Sequence, residues 1–126
     1  MSDADKRVEI AVQFVREVCN ALPEASERLS HGAPSFFVKE KKCFMMFVND
    51  HHGDGNVGVW CAAAPGVQQS LVAEGAAWFF IPPYVGHRGW IGLRLDQNLD
   101  WEEAREFLLE AYAAIAPAKL IEQMKP

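Results

Sequence analysis

The sequence predicts an α+β fold in two layers, a five-stranded antiparallel sheet with helices packed on one face, in the order α-β-β-β-α-β-β-α. Three observations predict it. From Trp90 to Leu95 the chain alternates strictly, with Ile91, Leu93 and Leu95 on one side and Trp90, Gly92 and Arg94 on the other. That is the period of a strand with one fully apolar face. Towards both ends of the chain the apolar residues recur every three to four positions instead, the period of a helix. Between them, short runs rich in Phe, Val and Met are separated by turn formers, as strands of an antiparallel sheet are.

Taken in order, Val8, Val12, Val15, Val18, Cys19 and Leu22 make one stripe of a first helix over about Asp5 to Leu22, which Pro23 ends. Glu24 to Gly32 reads as a polar connector, with a helical turn around Ala25–Leu29. His31-Gly32-Ala33-Pro34 is a turn before two strands, Ser35–Val38 and Cys43–Val48, joined by the charged tip Lys39-Glu40-Lys41-Lys42. The turn formers Asn49 to Asn56 lead into a third strand, Val57–Ala62, and the three make a meander. Pro65 and Gly75 bracket a short helix, Gly66–Glu74. Trp78–Ile81 is a buried strand, and the segment from Pro82 to Asp96 supplies a bend and then the fifth strand. The last helix starts at the cap Asp100, with Glu103 as its capping-box partner. Its core stripe is Trp101, Ala104, Leu108, Ala111 and Ile115, and Pro117 closes it.

Composition bounds the function. At 126 residues, half hydrophobic and 23% charged, the chain is expected to be one domain with a core that needs no staples. The net charge of −5 argues against a general binder of nucleic acid or anionic membranes, which works by neutralising phosphates. Three widely spaced cysteines, Cys19, Cys43 and Cys61, and polar opening residues without an apolar leader point to reduced thiols and a cytoplasmic location. No apolar run is long enough to span a membrane.

Several motifs suggest chemistry, and each has a plainer reading. Gly53-Asp54-Gly55-Asn56-Val57-Gly58 matches the spacing of a dinucleotide loop, but a strand follows where a helix N-terminus is needed. Asp50, His51, His52 and Asp54 carry metal-ligand atoms, yet neighbours on an extended backbone point apart and no distant pair completes a shell. Cys43 or Ser35 with His31 lacks an activated nucleophile and an oxyanion hole. The sequence thus leads to no catalytic residue, no metal and no cofactor, and leans away from an enzyme. The best candidate surface is Tyr84, His87, Arg88 and Trp90 on a glycine-flanked loop, with Lys39, Lys41, Lys42 and Arg94 as an adjoining basic patch.

The segments His31-Gly32-Ala33-Pro34-Ser35-Phe36, Cys43–Val48 and above all Pro82-Pro83-Tyr84-Val85-Gly86-His87-Arg88-Gly89-Trp90-Ile91 resemble the MmcQ/YjbR family of small bacterial proteins. So do Asp100-Trp101-Glu102-Glu103, Ala111-Tyr112 and Ala116-Pro117-Ala118-Lys119-Leu120. The resemblance implies the fold derived above, in an arrangement similar to secretion-chaperone-like domains. It also implies the label of a DNA-binding, double-wing protein. The expectation is a binding domain for nucleic acid, with Lys39, Lys41, Lys42, Arg88 and Arg94 on phosphates. The rivals are a chaperone-like homodimer or protein-interaction domain, and a small-molecule pocket or enzyme near Tyr84–Trp90.

Overall fold

The computed structural model describes residues 2–96 and 99–124. Helix α1 (Asp3–Asn20) begins where Ser2 accepts from the Asp5 N–H at 3.1 Å. Strands β1 (Ala25–Ser30), β2 (Ala33–Val38), β3 (Lys42–Asn49) and β4 (Val57–Cys61) follow, then helix α2 (Val67–Glu74). After β5 (Phe79–Phe80), a 3-10 turn at Gly86–Arg88 and β6 (Ile91–Arg94) come helices α3 (Trp101–Ile115) and α4 (Ala118–Gln123).

All strand pairs are antiparallel, and the sheet has six strands rather than five, in the order β1-β2-β3-β4-β6-β5. The added strand is β1, in the stretch expected to be a polar connector. It forms because His31 and Gly32, at φ +51° and +79°, make a tight two-residue turn between Ser30 and its partner Ala33. Glu27 then ties it to the first helix, accepting from Arg16 Nε at 2.9 Å and from Asn20 Nδ2 at 3.2 Å.

Directly paired residues share a face of the sheet. Met45 and Phe47 pair with Cys61 and Val59, which pair in turn with Ile91 and Leu93. This face is buried almost completely. Helices α1 and α3 cover it, with the Phe44 ring edge-on to Tyr112 at 5.4 Å. The Tyr112 hydroxyl donates to the Pro23 carbonyl at 2.6 Å, fixing the turn between α1 and β1. Burial pushes the Cys19 and Cys61 thiols well above their ordinary range, and both are free.

The opposite face, which carries Trp60, Trp90 and Gly92, is covered as well. Trp60 and Trp90 are 3% and 4% exposed, and Gly92 lies under the Phe80 ring. The strand expected over Trp78–Ile81 shortens to Phe79–Phe80, and Ile81 is exposed. Gly58 is obligatory: a Cβ there would lie 1.8 Å from the Leu93 carbonyl oxygen on β6.

At the C-terminal end, Asp100 caps α3 by accepting from the Glu102 N–H at 3.3 Å. Among the described hydrogen bonds, Glu103 returns none to it. Trp101, assigned to the core stripe, is 41% exposed and instead stacks on Phe14 at 4.6 Å. Pro117 does not end the helical structure. It is the N-cap of α4, whose Leu120 is buried. Among the described residues, no helix is long and apolar enough to cross a membrane.

Candidate functional site

The segment from Pro82 to Trp90 crosses the second face of the sheet, and its path can be followed by what each end touches. Pro82 is buried, and the Val85 N–H donates back to the Pro83 carbonyl at 2.7 Å. That bond closes a three-residue turn around Tyr84, whose φ is +65°. A large aromatic residue is rarely found in this region, and holding one there costs on the order of 1–3 kcal/mol. The Tyr84 side chain is nevertheless 69% exposed. It meets His51 edge-to-face at 5.9 Å and Trp60 at a tilt, 6.3 Å away, and His51 meets Trp60 at 4.9 Å. His52 extends the cluster by packing on His51 at 4.1 Å.

Two polar atoms under this cluster, His51 Nε2 and Trp60 Nε1, are buried without a hydrogen-bond partner among the described residues. An unpaired buried donor or acceptor costs about 1–3 kcal/mol, so such atoms are uncommon in a finished core.

At the other end of the segment, Arg88 lies over the Trp90 ring, 5.4 Å from its centroid. Its charge also acts on Cys43 of β3, as does that of Arg28 on β1. Burial outweighs both and raises the Cys43 thiol above its ordinary range, so the residue is no activated nucleophile. Arg28 stacks on Phe37 at 3.7 Å and donates from Nη1 to the Glu40 carbonyl at 3.0 Å, which anchors the lysine-bearing tip. Gln68 of α2 braces the segment by donating from Nε2 to the Gly86 and Trp90 carbonyls at 2.8 and 2.7 Å.

The structure therefore places Arg28, over Phe37, and Arg88, over Trp90, at the end of the sheet that carries Lys39, Lys41 and Lys42, all three exposed. His87 is exposed on the same segment, whereas Trp90 is buried and serves as the floor under Arg88. Arg94 does not join them. It pairs with Gly58, which pairs with Val48, so it sits at the far end of the sheet, over the Phe80 ring at 5.8 Å, with Nε buried and unpaired.

The sequence missed Arg28 because no apolar periodicity marks β1, and it missed Gln68 because nothing local distinguishes a helix glutamine that reaches a distant carbonyl. It gave no sign that Trp60 and His51 lie beneath Tyr84, since that contact spans three separate segments.

The other candidates are scattered. Asp50 accepts from the Gly55 N–H at 2.7 Å and Asp54 from the Asn56 N–H at 2.9 Å, so both carboxylates are turned into their own loop. Among the described residues, no group of three or more His, Cys, Asp or Glu is placed to hold a metal. Ser35 is buried and donates to the Ala33 carbonyl at 3.0 Å. His31 lies in the β1–β2 turn, at the opposite end of β2 from Phe37, the partner of Cys43.

No curated protein matches the chain. Among solved structures, the Deinococcus radiodurans protein DR2400, described as a DUF419 domain, is similar with a TM-score of 0.72 at 15% identity. The match covers 90% of this chain and 87% of that one, and it supports the fold. The family model described as YjbR matches residues 20–114, which include β1 through most of α3 and the whole Pro82–Trp90 segment. On that match, the chain belongs to the YjbR family.

Proposed function

We propose that this YjbR domain binds nucleic acid through the face crossed by the Pro82–Trp90 segment, with Arg28, Arg88 and the lysines at the β2–β3 tip on phosphates. The observation that carries the reading is the placement of Arg28 and Arg88 at the end of the sheet that carries the β2–β3 tip. Each guanidinium is held over an aromatic ring, Phe37 or Trp90, which orients it at little entropic cost.

The net charge of −5 is no obstacle to a local site, because the charges are segregated. From Arg28 to Asn49 the chain carries Arg28, Lys39, Lys41 and Lys42 against one acid, Glu40. Helix α3 instead carries Glu102, Glu103, Glu106 and Glu110 against Arg105, and it packs on the other side of the sheet. The family's DNA-binding label agrees with this polarity. Arg94 is left out of the interface.

Fluorescence anisotropy with labelled DNA at several salt concentrations tests the reading. If about four phosphates are neutralised, affinity falls about a hundredfold between about 50 and 200 mM salt. Replacing Arg28 and Arg88 together by Ala removes about two units of that slope. Binding that ignores salt, or no binding at the lowest salt, rules the reading out.

A second reading, a homodimer or protein-interaction domain, is favoured by β1. It is an edge of the sheet, and its Leu29 is 73% exposed. Sedimentation separates the two: a monomer at high concentration removes the homodimer.

A further inference from the structure

We infer that the preferred ligand is single-stranded rather than duplex nucleic acid, with one base stacked on the Tyr84 ring and the adjoining phosphates on Arg88 and Arg28. This inference rests on the nucleic-acid reading above and narrows it.

Tyr84 is the reason. Its backbone is held left-handed by a closed turn, and its ring stands 69% exposed. Folding gains little from either feature, since a glycine would make the same turn without strain and an exposed ring adds little to the core. What the arrangement achieves is a rigid platform. His51 and Trp60 support one side of the ring, Gln68 and buried Pro82 fix the segment on both sides, and the remainder of the ring is open. Aromatic rings offered in this way stack on unpaired bases of any identity.

The spacing agrees. Tyr84 rests on Trp60, the β4 partner of Met46, whereas Arg28 lies over Phe37, the β2 partner of Cys43. Cys43 and Met46 are three positions apart on β3, but a bulge between them sets them opposite Phe37 and Ser35, two positions and about 7 Å apart on β2. A flexible unpaired strand can place a base at one point and a phosphate at the other. A duplex keeps its bases stacked inside and offers only their edges, so Tyr84 would have nothing to stack on. The nearby carboxylates of Asp50 and Asp54 are engaged with their own backbone and do not point along this path.

Anisotropy titrations with an oligothymidylate of about 15 nucleotides and with a duplex of the same length test the inference. The single strand is expected to bind about tenfold more tightly than the duplex. Tyr84→Ala is expected to lose about tenfold for the single strand and nothing for the duplex, while Tyr84→Phe, which keeps the ring, retains both. Equal or tighter duplex binding, or an unaffected Tyr84→Ala protein, overturns the single-strand inference and leaves the broader reading standing. Failure of both probes to bind at about 50 mM salt overturns both.

Discussion

The two faces of the sheet are built to different standards. On the face under α1 and α3, Met45, Phe47, Val59, Cys61, Ile91 and Leu93 interlock with hydrocarbon, and even the polar Tyr112 hydroxyl finds a partner. On the face under the Pro82–Trp90 segment, Trp60 and Trp90 are as well buried, yet Trp60 Nε1, His51 Nε2 and Arg94 Nε lack partners among the described residues. A tyrosine there also sits in a conformation suited to glycine or asparagine. The contrast separates two uses of burial. The helix-covered face spends its residues on stability, and the other accepts strain and unpaired polar atoms, as surfaces shaped for recognition do.

The largest expected effect falls where the two faces share a backbone. Gly58→Ala puts a methyl group into the Leu93 carbonyl, and because strand main chain cannot yield locally, denaturant melts are expected to show a loss on the order of 4 kcal/mol or more.

Next comes alkaline pH, which acts most strongly through the helix-covered face. Burial raises the Cys19 and Cys61 thiols above their ordinary value of 9.0, so above that pH the unfolded chain releases protons that the folded chain keeps. Stability is therefore fully present at neutral pH and is lost progressively as pH rises above about 9. Each thiol contributes about 1.4 kcal/mol per pH unit once the unfolded group is ionised. Melts across that window are expected to fall steeply, and the Cys19→Ala, Cys61→Ala double variant to flatten the slope. An unchanged slope would mean that the two thiols titrate alike in both states.

Tyr112→Phe is smaller. It leaves the ring against Phe44 but abandons the half-buried Pro23 carbonyl, for an expected loss of about 1 kcal/mol in urea melts.

Smallest is Tyr84→Gly, which relieves the left-handed backbone while removing a mostly exposed ring. Its stability is expected to stay within about 1 kcal/mol of the native chain. A loss of several kcal/mol would make Tyr84 a packing residue and erase the contrast between the faces.

Much of this architecture can be read from the chain, and the parts that cannot share a cause. The strands with apolar runs, β3 and β4, the alternating β6, and the helices with a full stripe, α1 and α3, are visible because burial is written into their composition or period. β1 is not, because it is an edge strand in Ala-Ser-Glu-Arg-Leu-Ser whose one large apolar residue, Leu29, faces water. α4 is hidden because proline ends one helix and caps the next with the same fixed φ. Alternation also overstated the exposure of Trp90, Gly92 and Arg94, since a loop can cover a face that local pattern leaves open. At the recognition surface the sequence pointed to the Tyr84–Trp90 segment and the tip lysines. Arg28 and the rings under Tyr84 became visible only once distant segments were brought together, and Arg94 was grouped with residues from which the register separates it.

The most direct test of a recognition surface on the second face is to map amide chemical-shift changes on the ¹⁵N-labelled protein as oligothymidylate is added. The account predicts perturbations concentrated at Arg28, the β2–β3 tip, Cys43 and the Tyr84–Trp90 segment, with α1 and α3 unmoved. Perturbations concentrated on the helices, or none at saturating oligonucleotide, would contradict it.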